Sequence, residues 1–140
     1  MADAASNPAD PERAKRPLFA FLRVLGLALV CLGLYRWAVV LGIAGSAEGL
    51  AGMEENAQIA LAGLAIFDLV SGVGVWLLAP WGTVVWLITA AAEIGVRLVI
   101  PDDVGPDWPA VAFHAVALLL YLALAGRLEL RRWRLRAANR

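Results

Sequence analysis

Four long apolar stretches fill most of this 140-residue chain and limit its fold more than any other feature. They run over about residues 18–43, 59–79, 81–100 and 109–126. Each approaches the roughly 20 helical residues that cross a hydrocarbon core of about 30 Å. With 61% hydrophobic residues and a mean hydropathy of +0.73, so short a chain cannot hide all four from water. We therefore predict an all-α integral membrane protein, an antiparallel four-helix transmembrane bundle.

The distribution of lysine and arginine predicts how the bundle is oriented. Basic residues precede the first stretch and follow the fourth, whereas the connections 44–58 and 101–108 carry only acidic charges. Because short cytoplasmic flanks are enriched in lysine and arginine, both termini should be cytoplasmic. An even number of spans is then required, which agrees with four. We expect a multi-pass protein of the cell inner (plasma) membrane.

Three regions follow from this pattern: a disordered cytoplasmic tail over 1–17, a transmembrane domain over 18–126, and an Arg-rich cytoplasmic interfacial helix over 127–140. A cleaved signal peptide is the alternative for the first stretch, since Gly45, Ser46 and Ala47 are small enough for cleavage. The apolar run is too long for an ordinary signal core, and Arg36 interrupts it. An uncleaved anchor is favoured.

The last region alternates arginines with leucine and tryptophan, a pattern typical of a helix that lies on anionic lipid head groups. The predicted head-group contacts are Arg127, Arg131, Arg132, Arg134 and Arg136. The alternative is a tail that binds nucleic acid or a protein partner. We expect the lipid bilayer as the partner here, and no nucleic acid.

Tryptophans and small residues predict where the helices end and where they pack. Trp76, Trp81 and Trp86 are expected at the cytoplasmic boundary and Trp108 at the opposite one, although a ligand-binding tryptophan stripe is an alternative. The connection 79–82 is short enough to make the second and third helices antiparallel neighbours. Close helix packing is predicted at a set of small residues: Gly26, Gly33, Gly72, Gly74, Ala91 and Gly95.

Ionisable residues at membrane depth are the strongest functional signal in the sequence. A charged side chain is energetically unfavourable in the hydrocarbon core, so such residues usually face a partner or a functional site. There are five: Arg36, Asp68, Glu93, Arg97 and His114. At 1.5 Å per residue, Asp68 lies near the midplane, and the others lie within about 8 Å of it on the outer side. Side chains from four helices are thus predicted to share one depth.

The spacing of these residues suggests how they pair. Glu93 and Arg97 are four residues apart with the acid first, the favourable order on one helix face. The face of the second helix that carries Asp68 could meet Arg36. Three interpretations stay open: a neutral ion-pair network that fixes the bundle, a polar pocket or proton relay with Asp68 and Glu93 titrating beside His114, or arginines that merely snorkel.

No catalytic, metal or cofactor motif is recognisable. Haem held between two histidines needs a second one beside His114, and zinc needs three or four ligands. Cys31 is the only cysteine, so no internal disulfide can form, and we interpret it as a small buried side chain rather than a reactive thiol. We predict no cofactor, no metal and no enzymatic activity.

The sequence resembles a family of small, uncharacterised four-helix bacterial inner-membrane proteins. The resemblance rests on the run Phe67–Trp76, the connection Ala79-Pro80-Trp81-Gly82 and the run Ala92–Arg97. A remoter similarity is to DoxX-like four-helix proteins, in which an acidic residue also stands four before a glycine in the second span, as Asp68 and Gly72 do here. Both resemblances imply a fold and no activity.

Three classes of function are compatible with the sequence. The preferred one is a non-enzymatic accessory or assembly component of a membrane complex, bound to another membrane protein or to further copies of itself. The alternative is a small oligomeric transporter or channel that uses Asp68 and Glu93; multidrug exporters of similar size place their essential acid in the first span, where this chain has only arginines. A membrane enzyme or quinone-handling subunit is the third.

Overall fold

The computed structural model describes residues 11–45, 49–99 and 108–138, with the side chains of 15–45, 51–96, 108–134 and 136–137. Within these ranges all regular structure is helical, which confirms the all-α prediction. The helices are α1 (Pro11–Val40), α2 (Glu55–Trp76), α3 (Pro80–Val99) and α4 (Trp108–Ala138). A 3-10 turn, Gly49–Gly52, lies between α1 and α2.

Each predicted span lies on one helix, but α1 and α4 are longer than predicted. α1 begins at Pro11, so residues 11–17 of the expected tail are helical, while residues 1–10 lie outside the described part. α4 continues through Gly126 to Ala138 without a break, so its Arg-rich end is the same helix and not a separate one. The extension of α4 consists mostly of arginine, leucine and alanine, which are strong helix formers. The extension of α1 starts with Pro11, a favourable residue at the start of a helix, and continues past Pro17 inside the helix.

Three of the helices are long and apolar enough to cross a membrane, over Lys15–Val40, Glu55–Trp76 and Trp108–Arg134. The apolar part of α3 among the described residues, Pro80–Val96, is too short to qualify by itself. Large apolar side chains cover the outside of the bundle, including Val24, Ile43 and Leu119. These features favour a membrane protein.

α1 and α2 form the most extensive helix interface of the structure, and glycines allow their backbones to meet. A Cβ built on Gly26 would lie 2.8 Å from the carbonyl oxygen of Gly72, and one built on Gly33 would lie 2.8 Å from the Leu69 side chain. The predicted close packing is confirmed at these positions. It is wrong for Ala91 and Gly95, because Ala91 is exposed and a Gly95 Cβ would meet no described atom within 4 Å.

The connection between α2 and α3 is a tight turn. The Ala79 N–H donates to the Gly74 carbonyl and the Leu78 N–H to the Val75 carbonyl, both at 3.0 Å. This is the Schellman pattern, here with Leu78 at φ 56° where glycine is usual. α3 then starts at Pro80, a favourable first helical residue. The prediction of antiparallel neighbours is confirmed.

An apolar core of six residues lies between the helices: Leu22, Leu25, Leu29, Val75, Trp86 and Ala117. Trp86 is fully buried and meets the Tyr121 ring edge to face, with centroids 5.8 Å apart. Trp86 is therefore not a lipid-facing residue of an aromatic belt, because it lies on the face of α3 that also carries Thr89 and Glu93 and that points into the bundle. Trp76, Trp81 and Trp108 are exposed on the outside of the bundle, as a boundary position requires.

Cys31 is exposed, which corrects the interpretation of a buried side chain. The face of α1 that packs on α2 is the one that carries Gly26, Val30 and Gly33. Cys31 follows Val30 by one residue, or about 100° of rotation, and so turns away from that interface. Its sequence neighbours are apolar, but hydropathy does not show which side of a helix faces its neighbours.

Candidate functional site

Each of the four helices contributes one ionisable side chain to a cluster inside the bundle. The members are Arg36 of α1, Asp68 of α2, Glu93 of α3 and His114 of α4, hereafter the central cluster. Their exposed fractions are 2%, 0%, 0% and 1%, in the same order. Buried charges are retained only when they are paired, so the partners decide what the cluster does.

Arg36 bridges the two acids. Its Nη1 donates to Asp68 Oδ2 at 2.6 Å, and its Nη2 donates to Glu93 Oε2 at 2.7 Å. The planar guanidinium fork presents several N–H groups in fixed directions, so one arginine serves two carboxylates on different helices. Charge-assisted bonds of this kind are about twice as strong as neutral ones. Arg36 therefore joins α1 to both α2 and α3.

His114 stands beside this network without bonding to it. Its Nε2 lies 4.0 Å from Asp68 Oδ1, which is beyond hydrogen-bond distance. Neither ring nitrogen has a hydrogen-bond partner among the described residues. The ring instead meets Phe113 edge to face, with centroids 5.2 Å apart. α4 thus places His114 near Asp68 without a hydrogen bond between the two side chains.

Two buried hydroxyl groups near the cluster are satisfied by their own helices. Ser71 Oγ donates to the Asp68 carbonyl at 3.1 Å, and Thr89 Oγ1 donates to the Val85 carbonyl at 2.9 Å. Hydroxyl groups in helices commonly bond backward in this way. These hydrogen bonds satisfy the two buried hydroxyl groups, and neither hydroxyl takes part in the ion pairs.

Four of the five residues predicted to share one depth come together in the structure. Arg97 lies on α3, but its side chain is outside the described part, so its predicted pairing with Glu93 stays a prediction. The predicted contact between Arg36 and Asp68 is confirmed. The sequence reasoning missed that Arg36 also binds Glu93, and no spacing signal along one helix could have shown it.

The five predicted head-group arginines all lie on the exposed surface of α4 beyond Gly126. Arg132 forms an exposed ion pair with Glu129, at 3.5 Å between Nη1 and Oε2. Exposed pairs of this kind contribute little to stability. Among the described residues no group of three or more His, Cys, Asp or Glu side chains is arranged to hold a metal ion.

A family model described as "Family of unknown function (DUF6163)" matches residues 16–132. The chain belongs to this family. The matched region includes every member of the central cluster, and the expected resemblance to an uncharacterised family is confirmed. Neither a curated protein nor a solved structure matches the chain. The comparisons give no support to the remoter similarity to DoxX-like proteins.

Proposed function

We propose that this DUF6163 protein spans the bacterial inner membrane four times, with both termini in the cytoplasm, and acts as a non-enzymatic accessory or assembly component of a membrane complex. The observation that carries the proposal is that the central cluster is shielded from solvent. Its four side chains are at most 2% exposed, so a substrate has no access to the acids in this conformation. The outer surface is left as the part of the bundle that can meet a partner.

The membrane part of the proposal rests on the apolar exterior and on the charges at the helix ends. α3 has a short apolar segment, but only residues 77–79 separate it from α2. If α2 crosses the membrane, α3 must return beside it, because so short a link allows nothing else. The arginines at the end of α4 and the basic residues at the start of α1 then favour the cytoplasm for both ends.

The contacts of the central cluster support a structural role. Asp68 and Glu93 both accept hydrogen bonds from Arg36 at distances of 2.6 and 2.7 Å. A transporting or reacting carboxylate must reach its substrate, whereas these two hold three helices in register. Buried polar groups are known to specify one arrangement of helices over others. We assign the cluster to that task.

A small oligomeric transporter or channel is the second candidate, and one observation favours it. His114 carries two ring nitrogens without a hydrogen-bond partner in the described structure, and one of them lies 4.0 Å from Asp68. A histidine beside a carboxylate at membrane depth is suited to proton exchange. This function requires the bundle to open, since the closed cluster has no contact with water.

Purification in a mild detergent should recover the chain with other membrane proteins at a fixed ratio on a native gel, unlike an equally tagged unrelated four-helix protein.

Proteoliposomes of the purified chain should hold an imposed proton gradient as long as protein-free liposomes do, because no ionisable group of the central cluster is exposed. Rapid loss of the gradient that Asp68→Asn abolishes in folded protein would contradict the accessory role and support the transporter.

A further inference from the structure

Three arginines near the end of α4 share one face and line one pocket. At 100° per residue, Arg127, Arg131 and Arg134 fall within about 60° of each other around the helix. They line a cavity of about 550 Å³, together with Pro17 of α1 and three leucines of α4. Among the described residues, the side chains that line this cavity are basic or apolar and none is acidic. The pocket therefore attracts an anion that also carries apolar groups.

An apolar crevice of about 360 Å³ lies between the same two helices. Its walls include Phe21 and Val24 of α1 and Phe113, Val116 and Leu120 of α4. Leu120 precedes Arg127 by seven residues, so the two positions differ by only about 20° around α4. The crevice and the arginine pocket thus follow one another along a single seam between α1 and α4.

The depth of the pocket matches the cytoplasmic head groups. His114 is placed about 5 Å outward of the midplane, and Arg127 follows it by 13 residues, or about 20 Å of helix. Arg127 then lies about 15 Å to the cytoplasmic side, at the edge of a hydrocarbon core about 30 Å thick. Arg131 lies about 6 Å further, among the head groups. By the same count Leu120 lies about 4 Å to the cytoplasmic side of the midplane and Val116 about 2 Å to the outer side, so the crevice reaches the middle of the bilayer, where an acyl chain of the cytoplasmic leaflet ends.

We propose that this seam binds one anionic phospholipid of the cytoplasmic leaflet, an inference that rests on the proposed membrane orientation. The phosphate is bound by Arg127, Arg131 and Arg134, whose guanidinium groups match the geometry of phosphate oxygens. One acyl chain lies in the apolar crevice. A defined lipid site therefore replaces the diffuse contact expected of all five arginines.

The two remaining arginines are excluded from the site by geometry. Arg132 and Arg136 lie about 140–180° around the helix from Arg127, on the opposite face. Arg132 is also engaged with Glu129. Arg132 and Arg136 are four residues apart, as Arg127 and Arg131 are. Each pair carries two positive charges, so removing one pair or the other is a matched comparison.

The test measures binding of phosphatidylglycerol and phosphatidylcholine to the full chain in neutral detergent by native mass spectrometry. The wild type should bind one phosphatidylglycerol at least about tenfold more tightly than phosphatidylcholine. The double variant Arg127→Gln/Arg131→Gln should bind phosphatidylglycerol about tenfold more weakly than the wild type. The control Arg132→Gln/Arg136→Gln should stay within about twofold of the wild type. Val116→Trp, which fills the crevice, should also weaken retention. Equal melting temperatures confirm that each variant is folded.

Equal losses in the two arginine pairs would overturn the proposal, because binding would then follow total charge and not the seam. Displacement of the lipid by millimolar inorganic phosphate would also overturn it and indicate a site for free phosphate. Because the measurement is made in micelles, its result does not depend on the orientation of the chain in a cell. A failure here is therefore distinguishable from a failure of the proposed membrane topology.

Discussion

Replacing Arg36 with methionine is expected to destabilise the folded chain by about 3–5 kcal/mol. The guanidinium donates to Asp68 and Glu93 at 2.6 and 2.7 Å, and both acids are fully buried. Its loss removes a charge-assisted hydrogen bond from each of two buried carboxylates, and breaking a buried ion pair by removing one partner is strongly destabilising. The free energy of unfolding of the purified protein, followed by circular dichroism during denaturation in mixed micelles, measures the effect.

Arg23→Met is the matched control, because Arg23 lies on the same helix and is exposed. It should change the stability by no more than about 0.5 kcal/mol. Arg36→Lys keeps the charge but lacks the rigid fork that serves two carboxylates, so its stability should fall between those of wild type and Arg36→Met. If Arg36→Met proves as stable as Arg23→Met, the central cluster does not hold the helices together.

Gly26→Ala should destabilise the interface between α1 and α2, with an expected loss of about 1–3 kcal/mol. The new methyl group would lie 2.7 Å from the Trp76 nitrogen and 2.8 Å from the Gly72 oxygen. Both are backbone atoms, which cannot rotate out of the way as a side chain can, so α1 and α2 must separate. Thermal unfolding in detergent measures the loss.

Gly63→Ala is the control for this prediction, because no described atom lies within 4 Å of a Cβ at Gly63. Alanine is the better helix former, so this variant should be neutral or gain up to about 1 kcal/mol. Equal melting temperatures for the two alanine variants would show that α1 and α2 do not pack as closely as the structure indicates.

Much of the fold could be predicted from the lengths of the apolar stretches. Each stretch long enough to cross a bilayer became one helix, and the link 79–82 was short enough to fix α2 and α3 as neighbours. The ends of α1 and α4 were predicted less well. Hydropathy indicates where a helix leaves an apolar medium, and charged extensions such as 11–17 and 127–138 can stay helical beyond that point. For 127–138 the strong helix formers arginine, leucine and alanine account for this.

The sequence predicts that the residues of the candidate site lie at one level along the helices, but it predicts only some of the ion pairs between them. Counting residues along each helix places Arg36, Asp68, Glu93 and His114 at a common level, because a helix rises by a constant amount per residue. Which side chains touch depends on the rotation of each helix about its axis, and packing decides that rotation.

The most direct test of the membrane topology is the reactivity of single cysteines toward a membrane-impermeant maleimide. Cys31 is exposed on α1, yet it lies about 14 Å along the helix from Val40 and about 24 Å from Lys15, well inside the proposed span. A reagent that does not enter the membrane cannot reach a thiol surrounded by lipid. Two exposed positions serve as labelling sites: Ala51 between α1 and α2, and Ala137 near the end of α4. The proposed topology places them on opposite sides of the membrane.

In intact spheroplasts the native Cys31 should stay unlabelled until detergent denatures the protein. In a Cys31→Ser background, Ala51→Cys should be labelled from outside at once, and Ala137→Cys only after the membrane is permeabilised. Labelling of Ala137→Cys in sealed spheroplasts, or of Cys31 as rapidly as of Ala51→Cys, would contradict a bundle that spans the membrane with both ends in the cytoplasm.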